Sequence, residues 1–242
     1  MITPTISVLV PCYNAAPFLR DMIESVVVQT WTDWELTIVD DGSTDNSVNV
    51  VESALRDHSD REISLLVQPH RGCSSALKDA VDYSHGRFCT FVGADDFLPS
   101  NSLHDIVEAF DNHPEVGFLW TRYLAQRPTH TSWKEGRSKS LPVNNTLKKA
   151  LLSGWWGALA QDCWRREAYL RTPGLDPTLS FAVDQQIAML FANLECDVMH
   201  LPVVTYYHIQ HDKQMSATHY KEQQRCRGEI LRRMGGQYVR ER

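Results

Sequence analysis

The sequence predicts an α/β protein, a single domain with a mostly parallel central sheet that helices cover on both faces. Short apolar runs rich in β-branched residues alternate with stretches whose apolar residues recur at helical spacing, beginning with Ile6–Val10 and Pro17–Thr30. This alternation is typical of parallel sheets, because the connecting helices pack on the faces of the sheet. With 242 residues, of which 43% are apolar, the chain is long enough for one sizeable core.

In the first half of the chain, predicted strands and helices follow one another regularly. Pro17 lies near the start of the first helix, where its fixed φ is tolerated. The candidate caps of the second helix, which ends near His58, are Ser43, Thr44 and Asp45. The predicted strands are Ile6–Val10, Glu35–Val39, Ile63–Val67, Phe88–Val92 and Val116–Trp120. The other predicted helices are Pro17–Thr30, Cys73–Ser84 and Ser102–Asn112.

The second half of the chain is less regular. Its polar residues 122–145 predict a loop, and Asp197–Tyr207 predicts one or two short strands. The predicted helices of this half are Thr146–Ser153, Val183–Leu194 and the polar, charged Tyr220–Arg240. We therefore predict a main domain in residues 1–217, with halves 1–120 and 121–217, and a C-terminal helix within residues 218–242.

Composition and simple motifs exclude several classes of protein. The formal net charge of −6 lacks the basic face that broad nucleic-acid binding requires. Six scattered cysteines without a C-x-x-C pair predict reduced thiols and a cytosolic protein. The N-terminus has only a five-residue apolar run, so we expect neither a signal peptide nor a membrane anchor. The usual glycine-rich dinucleotide and P-loop fingerprints are absent.

Acidic pairs follow the second and fourth predicted strands, as Asp40-Asp41 and Asp95-Asp96. Ligands of open α/β sheets bind beyond the carboxyl ends of the strands, so both pairs and Pro11–Asn14 are expected at one edge. Carboxylate oxygens there suit Mg²⁺ or Mn²⁺ bridging to phosphates, while another acid accepts a hydrogen bond from a base. A nucleotide base could stack on Tyr13. Taken alone, each acidic pair also fits a capped turn.

These motifs resemble family 2 of the inverting glycosyltransferases, which have the GT-A fold. The matching stretches are ISVLVPCYNAAPFLRDMIESVVVQTWTDWELTIVDDGSTDNS, HRGCSSALKDA, GRFCTFVGADDFLP, GLDPTLSFAVDQQIAMLFA and HIQHDKQMSA. The resemblance is strong over residues 5–112 and weaker over about 160–217. It implies transfer of a sugar from a nucleoside diphosphate donor to an acceptor hydroxyl with inversion, assisted by Mn²⁺ or Mg²⁺. Residues 1–120 would bind the nucleotide sugar, and residues 121–217 would hold the acceptor and the catalytic base.

The resemblance implies roles for individual residues. Asp184 stands where the family has its general base, and Asp95 and His211 stand where it has metal-binding groups. The implied donor-binding residues are Pro11, Tyr13, Asn14, Asp40, Asp41, Lys78 and Asp95. Departures from the family pattern are Gly93 for the first acid of the D-x-D motif, Leu77 for a frequent Arg, Lys78 for a frequent Asn and Ile209 for the usual Arg.

Several residues carry a second interpretation. Asp184 is also compatible with an acid stabilised by the dipole at a helix N-terminus. Trp155 and Trp156 are candidate acceptor-binding platforms or, alternatively, core tryptophans. A zinc cluster of the C-terminal histidines is disfavoured, because no cysteine or acid falls at finger-like spacing. The basic stretch within Tyr220–Arg240 predicts a solvated helix or, less strongly, contact with anionic lipid at the inner face of a membrane.

The expected partners are a nucleotide-sugar donor, most simply a UDP-sugar, and a glycan or lipid-linked acceptor, whereas the oligomeric state is left open. The main rival from another class is a non-catalytic nucleotide-sugar-binding module, which Gly93 and Leu77 favour. A nucleotidyltransferase would also use acids and Mg²⁺. It would carry a glycine-rich basic loop near the N-terminus, and PCYNAAPF is not such a loop.

Overall fold

The strands and helices of the computed structural model alternate along most of the chain. The model describes residues 3–127, 132–136, 138–142, 146–155, 161–194 and 196–233. The strands are β1 (Ile6–Cys12), β2 (Trp34–Asp40), β3 (Ile63–Val67), β4 (Phe88–Phe91), β5 (Val116–Gln126), β6 (Lys134–Glu135), β7 (Asp162–Arg165) and β8 (Asp197–Ile209). The helices are α1 (Ala16–Val27), α2 (Ser47–Asp57), α3 (Cys73–Tyr83), α4 (Ser102–Asn112), α5 (Leu147–Leu152), α6 (Arg166–Tyr169), α7 (Val183–Leu194), α8 (Met215–Thr218) and α9 (Tyr220–Arg233).

These strands form one sheet in the order β3-β2-β1-β4-β7-β5-β6, and β8 pairs with β5. Strands β3, β2, β1 and β4 are parallel neighbours, and β5 is parallel to β8. Strand β7 lies antiparallel between β4 and β5, so it begins at the edge where the parallel strands end. The loops after β1, β2 and β4 therefore gather at the same edge as the start of β7. The prediction of a mostly parallel, helix-covered sheet is confirmed.

Apolar side chains on the two faces of the sheet form two hydrophobic cores. Alternate residues of β1 divide between them, since Val8 and Val10 face one core and Leu9 faces the other. Helices α1, α2 and α4 cover the first core, and α3, α5, α7 and α9 cover the second. Burying a single valine, leucine or isoleucine side chain contributes about 1.5–3 kcal/mol, so each helix is held mainly by its apolar face.

The structure corrects two predictions in the second half of the chain. Residues 122–145 are not all loop, because β5 continues to Gln126 and β6 pairs with it. Asp197–Ile209 is one strand of 13 residues rather than one or two short strands. The reason is that β5 and β8 pair along nearly their whole length, with register irregularities near Thr121 and Arg122. Their outer residues are only half buried, so the apolar alternation that marks a strand is weak there.

The C-terminal helix α9 packs against α7 and adds to the second core. Its residues Cys226, Ile230 and Leu231 are buried, and Arg233 forms an ion pair with Asp176 in the segment before α7. The predicted helix is therefore present and only partly solvated, and its predicted residues 234–240 lie outside the described residues. Within the described ranges, every helix is too short or too polar to cross a lipid bilayer.

Candidate active site

The loops after β1 and β2 are joined by hydrogen bonds through Asn14. Its side-chain Oδ1 accepts from the backbone N–H of Thr44 at 2.8 Å and of Asp45 at 3.3 Å, and its own N–H donates to Ser43 Oγ at 2.9 Å. Asn14 has a φ of 52°, in the left-handed region that asparagine tolerates better than most residues. Asp45 Oδ1 in turn accepts from Ser47 N at 2.9 Å at the start of α2. The N-cap residue is Asn46, whose side chain forms no capping hydrogen bond, so none of the predicted caps Ser43, Thr44 and Asp45 occupies that position.

The carboxylate of Asp41 organises the loop that leads into α3. It is 2% exposed and accepts from Gln68 Nε2 at 2.6 Å, Arg71 N at 2.8 Å and Gly72 N at 2.7 Å. His70 Nδ1 lies 2.9 Å from Asp41 Oδ2, and the His70 ring packs on Tyr13 with centroids 4.3 Å apart. Since hydrogen bonds to an ionised group are the strong ones, Asp41 fixes the residues beneath the half-exposed Tyr13 ring.

The start of α3 packs against the segment that precedes α7. Gly72 has a φ of +94°, and a Cβ atom there would lie 2.7 Å from Ser180 Cβ. The Ser74 hydroxyl donates to the carbonyl of Leu179, and Gln186 Nε2 donates to Ser74 Oγ at 3.3 Å. Only glycine allows both this backbone conformation and this close approach. The two segments therefore hold the N-termini of α3 and α7 next to each other.

Asp184 lies in the first turn of α7, next to this contact. Burial raises the pKa of its carboxyl group, although backbone hydrogen bonds and the charge of Arg227 on α9 oppose the shift. A raised pKa brings a carboxylate closer to what a general base requires near neutral pH. The position also fits an acid that the helix dipole stabilises, so the local geometry is compatible with both interpretations.

The second acidic pair divides its contacts between two parts of the C-terminal region. Asp96 is buried and accepts from the Tyr206 hydroxyl at 2.6 Å and from Ile209 N at 2.8 Å, and His208 Nδ1 lies 3.1 Å from it. The Asp95 side chain is 29% exposed, and its Oδ2 lies 3.0 Å from His211 Nε2. Asp96 is therefore satisfied within the fold, whereas the Asp95 and His211 side chains stay partly accessible to solvent.

Burial raises the pKa of the Asp95 carboxyl group, and the neighbouring charge of Asp96 raises it further, while His211 lowers it. For His208, burial lowers the pKa, but the hydrogen bond to Asp96 and the charges of Asp96 and Asp95 outweigh burial and raise it. Two adjacent acids at one strand end are thus held with imidazoles beside them. Such a pair attracts a cation more strongly than a single exposed carboxylate does.

The Cys73 thiol, at the start of α3, is close enough to three acids for their charges to affect its pKa. Burial raises its pKa to about 12, and the charges of Asp41, Asp184 and Asp95 each raise it further. Charge effects of this kind decay with distance, so all three carboxylates lie in the neighbourhood of this thiol. Asp41, Asp95 and Asp184 come from three separate stretches of the sequence, and the fold brings all three near Cys73.

More than half of the chain matches a known protein family. Residues 7–174 match the model of glycosyl transferase family 2. The chain belongs to glycosyl transferase family 2. The matched range includes the loops after β1, β2 and β4 and therefore the acids Asp41 and Asp95. It ends before α7, so the family match itself does not reach Asp184.

Relatives within the family include proteins named as glycosyltransferases. The chain is 32% identical over 187 residues to the Bacillus subtilis (strain 168) protein called uncharacterized glycosyltransferase EpsJ, covering 75% of this chain and 54% of that protein. It is 35% identical over 119 residues to the Escherichia coli UDP-Glc:alpha-D-GlcNAc-diphosphoundecaprenol beta-1,3-glucosyltransferase WfgD, covering 49% and 45%. The chain thus spans about half of the length of these curated relatives.

Solved glycosyltransferase structures share the fold. S. aureus TarS 1–349 in complex with UDP-GlcNAc aligns with a TM-score of 0.73 and 20% identity, over 95% of this chain and 65% of that one. The mannosyltransferase PcManGT from Pyrobaculum calidifontis, in complex with GDP-Man and Mn²⁺, aligns with a TM-score of 0.67 and 20% identity, over 97% and 64%. The predicted GT-A fold is therefore confirmed.

The family's metal-binding positions can be compared with the side chains present here. Asp95 and His211 offer an oxygen and a nitrogen ligand 3.0 Å apart, and both remain partly accessible. Gly93 replaces the first acid of the motif, and a Cβ atom there would lie 2.9 Å from both Asp95 Oδ1 and Asp96 Oδ2. In the described ranges, no group of three or more His, Cys, Asp or Glu side chains is arranged to hold a metal. The pair fits a cation that takes its other ligands from a diphosphate or water.

Other predicted donor-binding residues lie near the same edge of the sheet but differ in their exposure to solvent. Pro11 is half buried near the end of β1, whereas Tyr13 is 47% exposed. Asp40 is buried and its Oδ1 accepts from Ser43 N at 2.9 Å, so it supports the turn after β2. Lys78 instead forms an ion pair with Asp82 at 2.5 Å, one turn further along α3. A contact between Lys78 and a donor would require the ammonium group to leave Asp82.

The predicted acceptor platform is only partly described. Trp155 is half buried, packs on the second core and contacts the buried Trp120 edge-to-face with centroids 6.1 Å apart. These contacts favour the core interpretation of Trp155, and Trp156 lies outside the described residues. Sequence reasoning missed Gln68, Arg71, Tyr206 and His208, which hold the acids in place. Arg71 and His208 belong to the stretches HRGC and HIQH, and Gln68 and Tyr206 lie two residues before them. These stretches were the sequence signal that could have pointed to the four residues.

Proposed function

We propose that this chain transfers a sugar from a nucleoside diphosphate donor to an acceptor hydroxyl with inversion at the anomeric carbon. The observation that carries the proposal is that Asp41 after β2, Asp95 after β4 and Asp184 at the start of α7 all lie near Cys73 at the start of α3. A nucleotide base would lie beside Tyr13 and Asp41, and the diphosphate beside Asp95 and His211. The donor sugar would then extend toward Asp184. Family membership supports sugar transfer as the reaction class.

In the proposed reaction, one Asp184 carboxylate oxygen accepts the proton of the acceptor hydroxyl. The hydroxyl oxygen forms a bond to the anomeric carbon from the face opposite the diphosphate, and the bond between that carbon and the diphosphate oxygen breaks. A single displacement of this kind inverts the anomeric configuration. The nucleoside diphosphate leaves with the bonding electron pair.

Asp95 and His211 are the residues that would hold a Mn²⁺ or Mg²⁺ ion. When bound, such an ion neutralises the charge that develops on the diphosphate as it leaves. Carboxylate oxygen suits both ions, and the imidazole nitrogen favours Mn²⁺ of the two. The solved structure of PcManGT, which contains GDP-Man and Mn²⁺, supports this choice by analogy of fold.

The donor is proposed to be a UDP-sugar. The structural relative TarS has been solved with UDP-GlcNAc, and the name of the relative WfgD includes UDP-Glc. The acceptor is proposed to be a glycan or a lipid-linked saccharide, consistent with the diphosphoundecaprenol acceptor in the name of WfgD. A cytoplasmic location with peripheral contact at the inner membrane face stays a prediction, and so does the division into residues 1–217 and 218–242.

The test of the proposed function is a thermal-shift screen of UDP-, GDP- and dTDP-sugars with Mn²⁺, followed by an assay of donor hydrolysis. A bound donor raises Tm because it binds the folded chain and not the unfolded one. A transferase should also release nucleoside diphosphate slowly in the absence of acceptor. A nucleotidyltransferase would release pyrophosphate from a nucleoside triphosphate instead, and that result would contradict the proposal.

A non-catalytic nucleotide-sugar-binding module is the second candidate, and Gly93 favours it. The missing acid leaves Asp95 as the sole carboxylate of the motif that is accessible to a cation among the described residues. Such a module would show donor-dependent stabilisation without release of nucleoside diphosphate at any Mn²⁺ concentration. The same screen therefore separates the two candidates.

A further inference from the structure

Asp162, the first residue of β7, has a buried carboxyl group without a hydrogen-bond partner. The residue is 1% exposed, and both Oδ1 and Oδ2 lack a partner in the described structure. Leaving a buried polar group unsatisfied costs free energy, and for an acid the cost is larger than for a neutral group. Native proteins satisfy nearly all such groups, so an exception requires an explanation.

The polar side chains beside Asp162 are satisfied without it. Gln161 Nε2 donates to Thr90 Oγ1 at 3.0 Å, and Gln161 Oε1 accepts from Thr205 Oγ1 at 2.6 Å. Thr205 Oγ1 also lies 2.7 Å from Thr121 Oγ1. These four residues form a buried network that links β4, β5 and β8 with Gln161, the residue before β7. Asp162 meets this network only through its backbone carbonyl, which accepts from Thr90 Oγ1 at 3.4 Å, and its carboxyl group takes no part in it.

Strand alternation shows which way the Asp162 side chain points. Cys163 packs into the first core and Trp164 into the second. Asp162 precedes Trp164 by two residues and therefore faces the same side of the sheet, which α7 covers. Helix α7 carries Asp184, and the neighbouring strand β4 leads to Asp95. The carboxyl group therefore lies at the edge of the sheet, on the face that α7 covers and next to the strand that leads to Asp95.

We propose that Asp162 is a specificity-determining residue that forms a hydrogen bond with a hydroxyl group of the donor sugar. This inference rests on the proposed function, in which the diphosphate lies at Asp95 and the acceptor hydroxyl lies at Asp184. The sugar ring must then occupy the space between those two acids. In this placement the Asp162 carboxyl group would lie beside the sugar ring, and a sugar hydroxyl is the group that would satisfy it.

The electrostatics favour a neutral acid in this role. Burial raises the pKa of Asp162 well above its ordinary value, and the charge of Asp184 raises it further. Both effects favour the neutral form of the Asp162 carboxyl group. A neutral carboxyl group both donates and accepts a hydrogen bond, which matches a sugar hydroxyl, and it adds no second negative charge next to the proposed base.

The test measures binding of UDP, UDP-glucose, UDP-galactose, UDP-GlcNAc and GDP-mannose with Mn²⁺ by calorimetry, for the wild type and for Asp162→Leu. We expect the affinity for UDP to stay within about twofold, because UDP lacks the sugar. The affinity for the preferred sugar nucleotide should fall about fivefold to tenfold, the effect of losing one hydrogen bond. The Asp162→Asn variant keeps hydrogen-bonding capacity and should retain part of the sugar affinity with an altered ranking of donors.

The control is Thr205→Val, which removes a buried polar group from the adjacent network. It should lower Tm without changing the ratio of UDP to sugar-nucleotide affinity. An unchanged ratio and donor ranking in Asp162→Leu, or equal losses for UDP and sugar nucleotides, would overturn the role of Asp162. If Asp162→Leu does not fold, the donor ranking of Asp162→Asn decides, and failure of both variants to fold would show a structural role and also overturn it. A wild type that binds none of the nucleotides would instead contradict the proposed function, and this inference with it.

Discussion

The imidazole of His211 lies 3.0 Å from the carboxylate of Asp95, although 116 residues separate them in the sequence. The His211 ring stacks on Phe18 with centroids 4.6 Å apart, and its backbone N–H donates to Gln214 Oε1 at 2.8 Å. Helix α1 and the loop after β8 thus orient the imidazole toward Asp95. Ligands that are fixed in advance bind a cation with less loss of conformational freedom.

Replacing this imidazole should weaken metal-dependent donor binding. For His211→Ala, we expect the Mn²⁺ concentration that gives half-maximal donor binding to rise by at least about tenfold, because a ligand or its orienting contact is lost. The measurement is a Mn²⁺ titration at fixed UDP-sugar, followed by calorimetry. His219→Ala is the matched control, since His219 stacks on Phe181 rather than meeting an acid of the cleft. Equal Mn²⁺ dependence in both variants would remove His211 from the proposed metal site.

Asp184→Asn should separate chemistry from binding. The amide cannot accept the proton of the acceptor hydroxyl, so we expect turnover to fall by on the order of 10²- to 10⁴-fold, the range for loss of a general base. Donor affinity and Tm should change little, because the amide has nearly the same shape. Steady-state kinetics with acceptor and calorimetry with donor give the two quantities. Asp197→Asn, at an exposed acid that begins β8, is the control. Turnover that matches the control would show that Asp184 is the helix-terminal acid of the alternative interpretation.

The raised pKa of Asp184 predicts an acidic limb in the dependence of kcat on pH. The base is active only when it is ionised, and burial raises its pKa above the ordinary 3.8. On acidification, activity should therefore be lost at a higher pH than an ordinary aspartate would give. Because the pKa of Asp95 is also raised, kcat should be measured at saturating Mn²⁺ and donor. The residual activity of Asp184→Asn should lack this limb, and a retained limb would assign it to another group.

Asp41→Asn should disturb the loop before α3 as well as donor binding. The carboxylate accepts three hydrogen bonds, from Gln68 Nε2, Arg71 N and Gly72 N. An amide would direct an N–H group toward at least one of these donors, so we expect a loss of about 1–3 kcal/mol in the free energy of unfolding. Denaturant titration measures the loss, with Asp21→Asn on the exposed side of α1 as control. Equal stability of the two variants would contradict the structural part of this role.

Elements with a clear apolar period could be predicted from the sequence, and the contacts between distant segments could not. The predicted helix Val183–Leu194 coincides with α7, because its apolar residues repeat on one face. Strand β7 was missed, since it is only four residues long and contains the polar Asp162 and Arg165. The resemblance placed Asp95 and His211 together as metal-binding residues. No local pattern could show that Asp41 binds the loop 68–72 or that Asp162 lacks a partner, because both depend on packing between distant segments.

The same packing predicts an unusual dependence of stability on pH. The pKa of Asp162 is raised in the folded state, so between its unfolded and folded pKa values the folded chain binds more protons than the unfolded chain. The contribution of Asp162 to stability is therefore most favourable below its unfolded pKa and is lost as the pH rises toward its folded pKa. The Asp162→Asn variant does not titrate at this position. We expect the free energy of unfolding of the variant, relative to the wild type, to increase from pH 4 to pH 7.

Denaturant titrations of both proteins across this range, without nucleotide, measure that difference. The difference isolates Asp162 because Asp184 and Asp95, whose pKa values are also raised, titrate in both proteins. A difference that is constant with pH would mean that Asp162 has the same pKa folded and unfolded, and hence that its carboxyl group reaches water or a partner. A stabilised variant with lower affinity for sugar nucleotides would instead indicate that the wild type retains an unsatisfied acid for its ligand, at a cost to its own stability.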